Sequence, residues 1–273
     1  MATFLQTNVS SLNAQRSLAS SNNLLGRSLE RLSSGLRINS PKDDAAGLQI
    51  SNRLSSQING LTQAQRNAND GISFAQVLEG ALTESTHILQ RMRTLTIQSL
   101  NGSNSDADRN ILDAEYQQLG LEIDRIANNT TFGGIGPPMN GTITSLSFQV
   151  GANANQTVDL NMDNMTTASI MGGVGDIKTT TTANTELQVL DQGIKNVDSF
   201  RGSLGAFQNR MSSTSNNLSN ISENVSSARS RIRDADYALE SATLAKSQIL
   251  EQSGLSIFTQ ANSSPQRILT LLQ

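Results

Sequence analysis

From Leu204 to Ala242, apolar or small residues recur at alternating steps of three and four. The stripe runs Leu204, Phe207, Met211, Thr214, Leu218, Ile221, Val225, Ala228, Ile232, Ala235, Leu239 and Ala242, and every charged residue between them falls off it. Seven residues per two turns is the coiled-coil period. As one helix, this span would be about 60 Å long. The spacing alone leaves its continuity open.

The N-terminal half carries the same signal. Leu18, Leu25, Leu29, Leu32 and Leu36 follow a 4-3-4-3-4 pattern, with Asn22 in the one polar slot. Ser40-Pro41 is expected to stop that helix, because Pro disfavours helical geometry in the residue before it. Asp43 and Asp44 suit the start of the next helix. A second run takes in Leu54, Ile58, Leu61, Gln65, Ala68, Ile72 and Ala75. Its phase slips between Ala75 and Leu78, then continues through Leu82, Leu89 and Met92 to the breaker Asn101-Gly102-Ser103. A third helix carries Leu112, Tyr116, Leu119, Ile123 and Ile126, with Ser105 to Asp108 as its capping segment.

Residues 129–183 change character. Phe132-Gly133-Gly134, Pro137-Pro138 and Asn140-Gly141 are turn formers. Leu146, Phe148 and Val150 alternate with polar residues, as do Val158, Leu160 and Met162, with Gly151 to Gln156 between them. That pattern predicts a β-hairpin. Thr179 to Thr182 reads as an exposed polar connector. The chain then ends on apolar residues, Ile257, Phe258, Ile268, Leu269, Leu271 and Leu272, and Pro265 suits the first turn of a final short helix.

A narrow stripe of this length needs partner helices, and the simplest are in the same chain. The expected fold is mainly α: an elongated antiparallel coiled coil or helical bundle built from both chain ends, with a small β-hairpin region in the middle. Hydrophobic residues are 36% and aromatics 3%, while the net charge is only −3. Self-repulsion therefore does not explain the lean core. A molecule that completes its burial against neighbours does.

The chemistry is sparse. With no Cys and one histidine, His87, there is no set of ligands for a zinc site and no His-Glu-x-x-His pair. No G-x-S-x-G elbow appears, and Gly133-Gly134 and Gly172-Gly173 lack the lysine of a phosphate loop. No cofactor or metal is expected. The pairs Asp43, Asp44 and Asp234, Asp236 suit helix ends and subunit contacts better than acid–base work. Arg229, Arg231 and Arg233 precede Asp234 and Asp236 directly, so intersubunit salt bridging is preferred to nucleic-acid binding. The N-terminal residues lack the basic start and apolar run of a secretory signal. No stretch approaches the roughly 20 apolar residues of a membrane span.

Four blocks carry a family resemblance. Leu32-Ser33-Ser34-Gly35-Leu36-Arg37-Ile38-Asn39-Ser40-Pro41-Lys42-Asp43-Asp44-Ala45-Ala46-Gly47-Leu48 resembles the N-terminal signature of the bacterial flagellins. Residues 90–98 resemble their central helix, residues 148–153 their middle hairpin, and residues 228–237 their C-terminal signature. Gln260-Ala261-Asn262 and Leu271-Leu272 match the usual ending. Ile135-Gly136-Pro137-Pro138-Met139 departs from the usual continuation after the Gly pair.

The resemblance implies a secreted, extracellular subunit of the flagellar filament that serves motility, in a short form lacking large outer domains. It implies a terminal coiled-coil domain from 1–42 and 236–273 forming the filament's inner core. A helical rod domain would take 43–128 and 184–235, with the hairpin and connector of 129–183 at its distal end. Implied partners are other copies of the chain, the type III flagellar export apparatus, a flagellin chaperone, the filament cap and hook-associated proteins. Arg91, Leu95 and Glu115 match the patch read by a vertebrate Toll-like receptor. The assembly residues expected are Leu29, Leu32, Leu36, Ile257, Ile268, Leu269 and Leu272. The alternative within the family is a hook–filament junction protein.

Overall fold

A computed structural model describes residues 7–271. Six helices and one hairpin follow in the order α1 (Val9–Ser34), α2 (Ala45–Ser99), α3 (Asp106–Asn129), β1 (Ser145–Gln149), β2 (Thr157–Asn161), α4 (Thr167–Met171), α5 (Thr180–Arg233) and α6 (Tyr237–Leu271). The chain divides into two units. Unit 1 holds residues 1–56 and 224–273, and unit 2 holds residues 57–223. The boundaries fall inside α2 and α5.

Unit 2 is built around one apolar core. Within α2 one continuous buried stripe, with Phe74, Thr86 and Leu95 buried beside it, runs Leu61, Ala64, Ala68, Gly71, Ala75, Leu78, Leu82, Ser85, Leu89, Met92, Thr96 and Ser99. These steps alternate 3 and 4 throughout, so the expected phase slip at Ala75 does not exist. Its cause was size: Gln65 and Ile72 look better suited to a core than Ala64 and Gly71. A Cβ on Gly71 would stand 3.3 Å from both Met211 and Phe148, so the seam needs a small residue there. α5 answers with Leu190, Gly193, Val197, Phe200, Leu204, Phe207, Met211 and Leu218. α3 starts on a capping box in which Ser105 and Asp108 satisfy each other's backbone N–H groups. It buries Tyr116 and Ile123 in the same core.

The expected hairpin forms, with Leu146 opposite Leu160 and Phe148 opposite Val158. Val158 and Leu160 are buried while Thr157, Asp159 and Asn161 are exposed, the two-residue period of a sheet with one face on a core. Phe148 lies between Phe74 and Phe207, at ring-centroid distances of 6.0 and 5.6 Å. A Cβ on Gly60 would come within 2.8 Å of the Ala152 side chain, so the hairpin loop rests directly on α2. The turn at Gly133 and Gly134, both in left-handed geometry, lets Phe132 meet Phe74 edge-on at 5.6 Å. Beyond it Pro138 and Met139 are buried.

The segment from β2 to α5 is more ordered than a connector. Asp124 of α3 accepts hydrogen bonds from the Thr167 N–H and hydroxyl. Asp113 accepts from the Ile177 N–H at 3.0 Å and lies 3.5 Å from the Lys178 ammonium. Thr179 and Thr182 cap each other's backbone N–H groups at 3.2 Å, so the threonine run is the start of α5 and not a free linker.

Unit 1 pairs α1 with α6 antiparallel. The Asn8 side chain donates to the Ala261 carbonyl at 2.8 Å, Ser11 to Asn262 at 2.7 Å, and the Tyr237 hydroxyl to the Leu32 carbonyl at 3.3 Å. α1 ends at Ser34, well before Ser40-Pro41, because Gly35 takes the left-handed conformation and its N–H closes on the Arg31 carbonyl at 2.8 Å. Leu36 therefore lies beyond the helix and forms a β-bridge with Asp234. That bridge, with Ala235 N–H donating to the Gly35 carbonyl and Arg37 N–H to the Arg233 carbonyl, breaks the long C-terminal stripe. Residues 204–242 are thus two helices, α5 and α6. Conversely, α6 runs through Pro265 without restarting, although a proline inside a helix forfeits an N–H donor.

Candidate assembly surface

The coiled-coil seam of unit 1 leaves its large apolar side chains half-buried and encloses mainly small and polar ones. On α1 the residues turned inward are Ala14, Leu18, Ser21, Leu25, Ser28 and Leu32. On α6 they are Glu240, Leu244, Ser247, Glu251, Gly254, Phe258 and Ala261. Among described residues of unit 1, only Ala14 and Ile38 are buried hydrophobics, while Ser21, Ser28, Ser51, Glu240 and Ser247 are buried polar groups. Val9, Leu12, Leu24 and Leu29 of α1 face outward, as do Tyr237, Leu239, Ile249, Leu250, Leu255 and Ile257 of α6. An exposed apolar array of this extent marks an interaction surface.

Of the expected assembly residues, Leu29 is 50% exposed and Ile257 61% exposed. Leu32 and Leu36 are half-buried, Leu32 on the internal seam and Leu36 in the bridge. The side chains of Ile268 and Leu269, and all of Leu272, lie outside the described residues. The heptad reading missed Val9, Leu12, Leu24 and Leu250, because these sit off the single stripe it followed. Leu29 was read as seam, and the structure puts Ser28 there instead.

The expected contact charges serve mainly local structure. Asp44 caps α2, accepting from the Gly47 N–H at 2.8 Å. Asp236 caps α6, accepting from Ala238 and Leu239 N–H groups. Asp43 collects the Asn39 N–H and the Ser40 N–H and hydroxyl, and the Ser40 bonds hold its carboxyl below the usual aspartate range. Asp234 accepts from the Ser230 hydroxyl at 2.6 Å. Arg229 reaches Ser55 at 3.2 Å and Arg231 reaches Ser227 at 3.5 Å. Arg233 Nε is buried without a hydrogen-bond partner.

In unit 2, Arg91 of α2 and Glu115 of α3 form an exposed ion pair at 2.7 Å. Leu95 is fully buried. It supports that face from inside and is a core residue, not a surface contact of the free chain. His87 is exposed on α2. Among described residues, no three His, Cys, Asp or Glu side chains are grouped as a metal site would require, and no helix is long and apolar enough to cross a membrane.

Known proteins resemble the chain over its whole length. The bacterial flagellin N-terminal helical region matches residues 5–136, and the bacterial flagellin C-terminal helical region matches residues 187–272. A flagellin of Xenorhabdus nematophila is 45% identical over 314 aligned positions that cover all of both chains. Polar flagellin A of Vibrio parahaemolyticus is 39% identical over 376 positions, again covering both entirely. Both alignments are longer than this 273-residue chain, so these relatives carry residues that it lacks. The crystal structure of Bacillus cereus flagellin superposes with a TM-score of 0.51 at 34% identity, over 56% of this chain and 88% of that one. Matched at both helical ends and along its full length, the chain belongs to the bacterial flagellin family.

Proposed function

We propose that this chain is a structural subunit that polymerises into the extracellular flagellar filament for motility, and that the outward apolar faces of α1 and α6 drive its assembly. One observation supports the mechanism: unit 1 turns many leucines and isoleucines outward, while the fully buried positions of its α1–α6 seam are alanine, serine and glutamate and the seam leucines stay half-buried. Burying an exposed Leu or Ile side chain contributes about 1.5–3 kcal/mol. A second copy that covers several of them supplies what the seam does not.

A structural protein rather than an enzyme fits the sequence, which holds one histidine and no cysteine. The hook–filament junction alternative is not favoured, because relatives matched over their whole length are named flagellins. Export through a type III apparatus, a chaperone, and contacts with cap and hook-associated proteins are proposed on family membership alone. Recognition by a vertebrate Toll-like receptor rests on the same ground, with Arg91 and Glu115 as its exposed members.

Seeded polymerisation tests the mechanism. Deleting residues 256–273 is expected to leave unit 2 folded and to abolish elongation from filament seeds, followed by electron microscopy. Filaments of normal length from that truncation would refute it.

A further inference from the structure

Asparagine followed by glycine occurs at Asn59-Gly60, Asn101-Gly102 and Asn140-Gly141. Glycine carries no side chain to shield its own nitrogen, so the preceding asparagine amide is open to attack by the chain itself. In sequence the three pairs are equivalent, and the fold separates them.

Asn59 and Gly60 lie within α2. The helix ties the Gly60 N–H to a carbonyl one turn back and fixes a backbone angle at which the five-membered ring cannot close. Asn101 lies between α2 and α3. Its own N–H donates to the Gln98 carbonyl and its own carbonyl accepts the Asn104 N–H, each at 3.2 Å. Its side-chain oxygen accepts the Ser103 N–H at a long 3.3 Å.

Asn140 is held differently. Its side-chain oxygen accepts two donors from one residue, the Thr142 N–H at 3.0 Å and the Thr142 hydroxyl. Such a turn folds the asparagine side chain back over the nitrogen of the next residue. Gly141 lies outside any helix, and its φ of +82° is geometry that favours glycine. Gly141 and Thr142 are both exposed to water. Donors already placed on an oxygen that gains negative charge in a tetrahedral intermediate lower the barrier to forming it.

We infer that Asn140-Gly141 is a self-modification site, at which Asn140 is converted to aspartate and isoaspartate with Thr142 stabilising the intermediate. The Gly141 nitrogen attacks Asn140 Cγ and a C–N bond forms there. The bond from Cγ to Nδ2 breaks, and ammonia leaves with the proton that Gly141 gives up through solvent. Water then opens the cyclic imide. Opening at the side-chain carbonyl gives aspartate, and opening at the main-chain carbonyl gives isoaspartate. Water is consumed, ammonia is released, and no electrons are exchanged. One negative charge is added to a chain of net charge −3. Isoaspartate also adds a carbon to the main chain beside Met139, which is buried in the core of unit 2 and whose carbonyl accepts the Met165 N–H at 2.7 Å. This chemistry is independent of the assembly mechanism proposed above.

Peptide mapping by mass spectrometry on the full-length chain, held in mildly alkaline buffer, reads all three sites together through the mass change from amide to acid. Asn140 is expected to convert fastest and Asn59 slowest, and in the urea-unfolded chain the three rates are expected to converge. Thr142→Val keeps the N–H and removes the hydroxyl. It is expected to slow Asn140 by about fivefold, the equivalent of one hydrogen bond, and Thr142→Ser is expected to restore the rate. In the isoaspartyl form separated by ion exchange, amide exchange at Met165 is expected to quicken. Conversion of Asn101 or Asn59 as fast as Asn140 in the folded parent chain overturns the proposal, and that comparison needs no variant. A Thr142→Val rate equal to or above the parent's overturns it too.

Discussion

The two units of this chain use hydrophobic residues in opposite ways. Unit 2 encloses Leu78, Leu82, Leu89, Met92, Leu95, Tyr116 and Ile123 almost completely. Unit 1 encloses little beyond Ala14 and Ile38 among its described residues, and leaves Leu29, Ile249, Leu255 and Ile257 facing outward. Both are made from long helices with the same alternating three–four period. The units differ in how fully the large residues of the stripe are enclosed. Unit 2 buries the leucines, phenylalanines and methionines of its α2 and α5 stripes; in unit 1 the fully buried seam positions are small or polar, the seam leucines stay half-buried, and many other large residues face outward.

The largest effect expected from breaking this contrast is on assembly. Leu250→Ser, Leu255→Ser and Ile257→Ser together remove three outward apolar groups, each worth about 1.5–3 kcal/mol when buried. Because about 1.4 kcal/mol is tenfold in an equilibrium, the affinity of a subunit for a filament seed is expected to fall by at least about 100-fold. The urea midpoint of the free chain should move by less than about 0.5 kcal/mol equivalent, as for ordinary surface changes. Light scattering and urea unfolding on one preparation read both. A large loss of free-chain stability would place these residues in a core that the structure does not show.

Leu89→Ala inverts that result. Leu89 is fully buried in unit 2, so truncation leaves a cavity and is expected to cost about 2–5 kcal/mol. Urea denaturation followed by far-ultraviolet circular dichroism measures it. A cost under about 1 kcal/mol would mean that unit 2 is as loosely packed as unit 1, and the contrast would fail.

Much of the architecture was legible in the chain. The hairpin and its core-facing residues followed from simple alternation at Leu146, Phe148, Val158 and Leu160, because one face of a two-stranded sheet must cover a core. The α5 stripe from Leu204 to Val225 was legible for the same reason. What escaped were positions where a small residue is the right one. Ala64 and Gly71 belong to the α2 seam because Phe148 and Met211 press against it, a fact of the partner and not of the helix. Ser21 and Ser28 escaped likewise, and with them the outward direction of Leu29. The end of α1 carried a local signal in Gly35, which caps in left-handed geometry; the end of α5 at Arg233 lies beside a bridge between segments nearly two hundred residues apart, which no local signal contains. Leu95 was placed on the surface by resemblance; its burial follows from α3 and α5 closing over α2.

A smaller effect sharpens the account of the joint between α5 and α6. Asp236 accepts from two N–H groups at the start of α6, and loss of such a cap costs about 0.5–2 kcal/mol. Asp236→Ala is expected to speed amide exchange at Ala238 and Leu239 in unit 1 without altering exchange in the core of unit 2, as read by hydrogen–deuterium exchange. Equal acceleration in both units would argue that they unfold together. Asp236→Asn should retain most of the protection, because the amide oxygen can still accept.

The smallest expected effect is a pH dependence of opposite sign at one carboxyl in each unit. Asp43 in unit 1 has its carboxyl held below the usual value by the Ser40 N–H and hydroxyl. A lowered acid contributes stability above its unfolded value, and that contribution is lost as pH falls through the folded one. Glu186 in unit 2 is shifted the other way. Burial pushes its carboxyl up, against the opposing hydrogen bond from the Tyr116 hydroxyl at 2.9 Å, and nearby Asp176 adds to the rise. A raised acid contributes stability below its ordinary value of 4.5, lost as pH rises through the folded value. Glu186→Gln keeps an acceptor for Tyr116 and removes the charge. The urea midpoint of this variant relative to the parent is therefore expected to improve from pH 4 to pH 7. Ser40→Ala is expected to act in unit 1 alone, weakening the turn at pH 7 more than at pH 3 in amide exchange at Asn39 and Ser40. If Glu186→Gln instead destabilises unit 2 more at pH 7 than at pH 4, the Glu186 carboxylate is better stabilised in the folded chain than its burial implies, and Glu186 and Asp43 no longer differ in the sign of their response to acid.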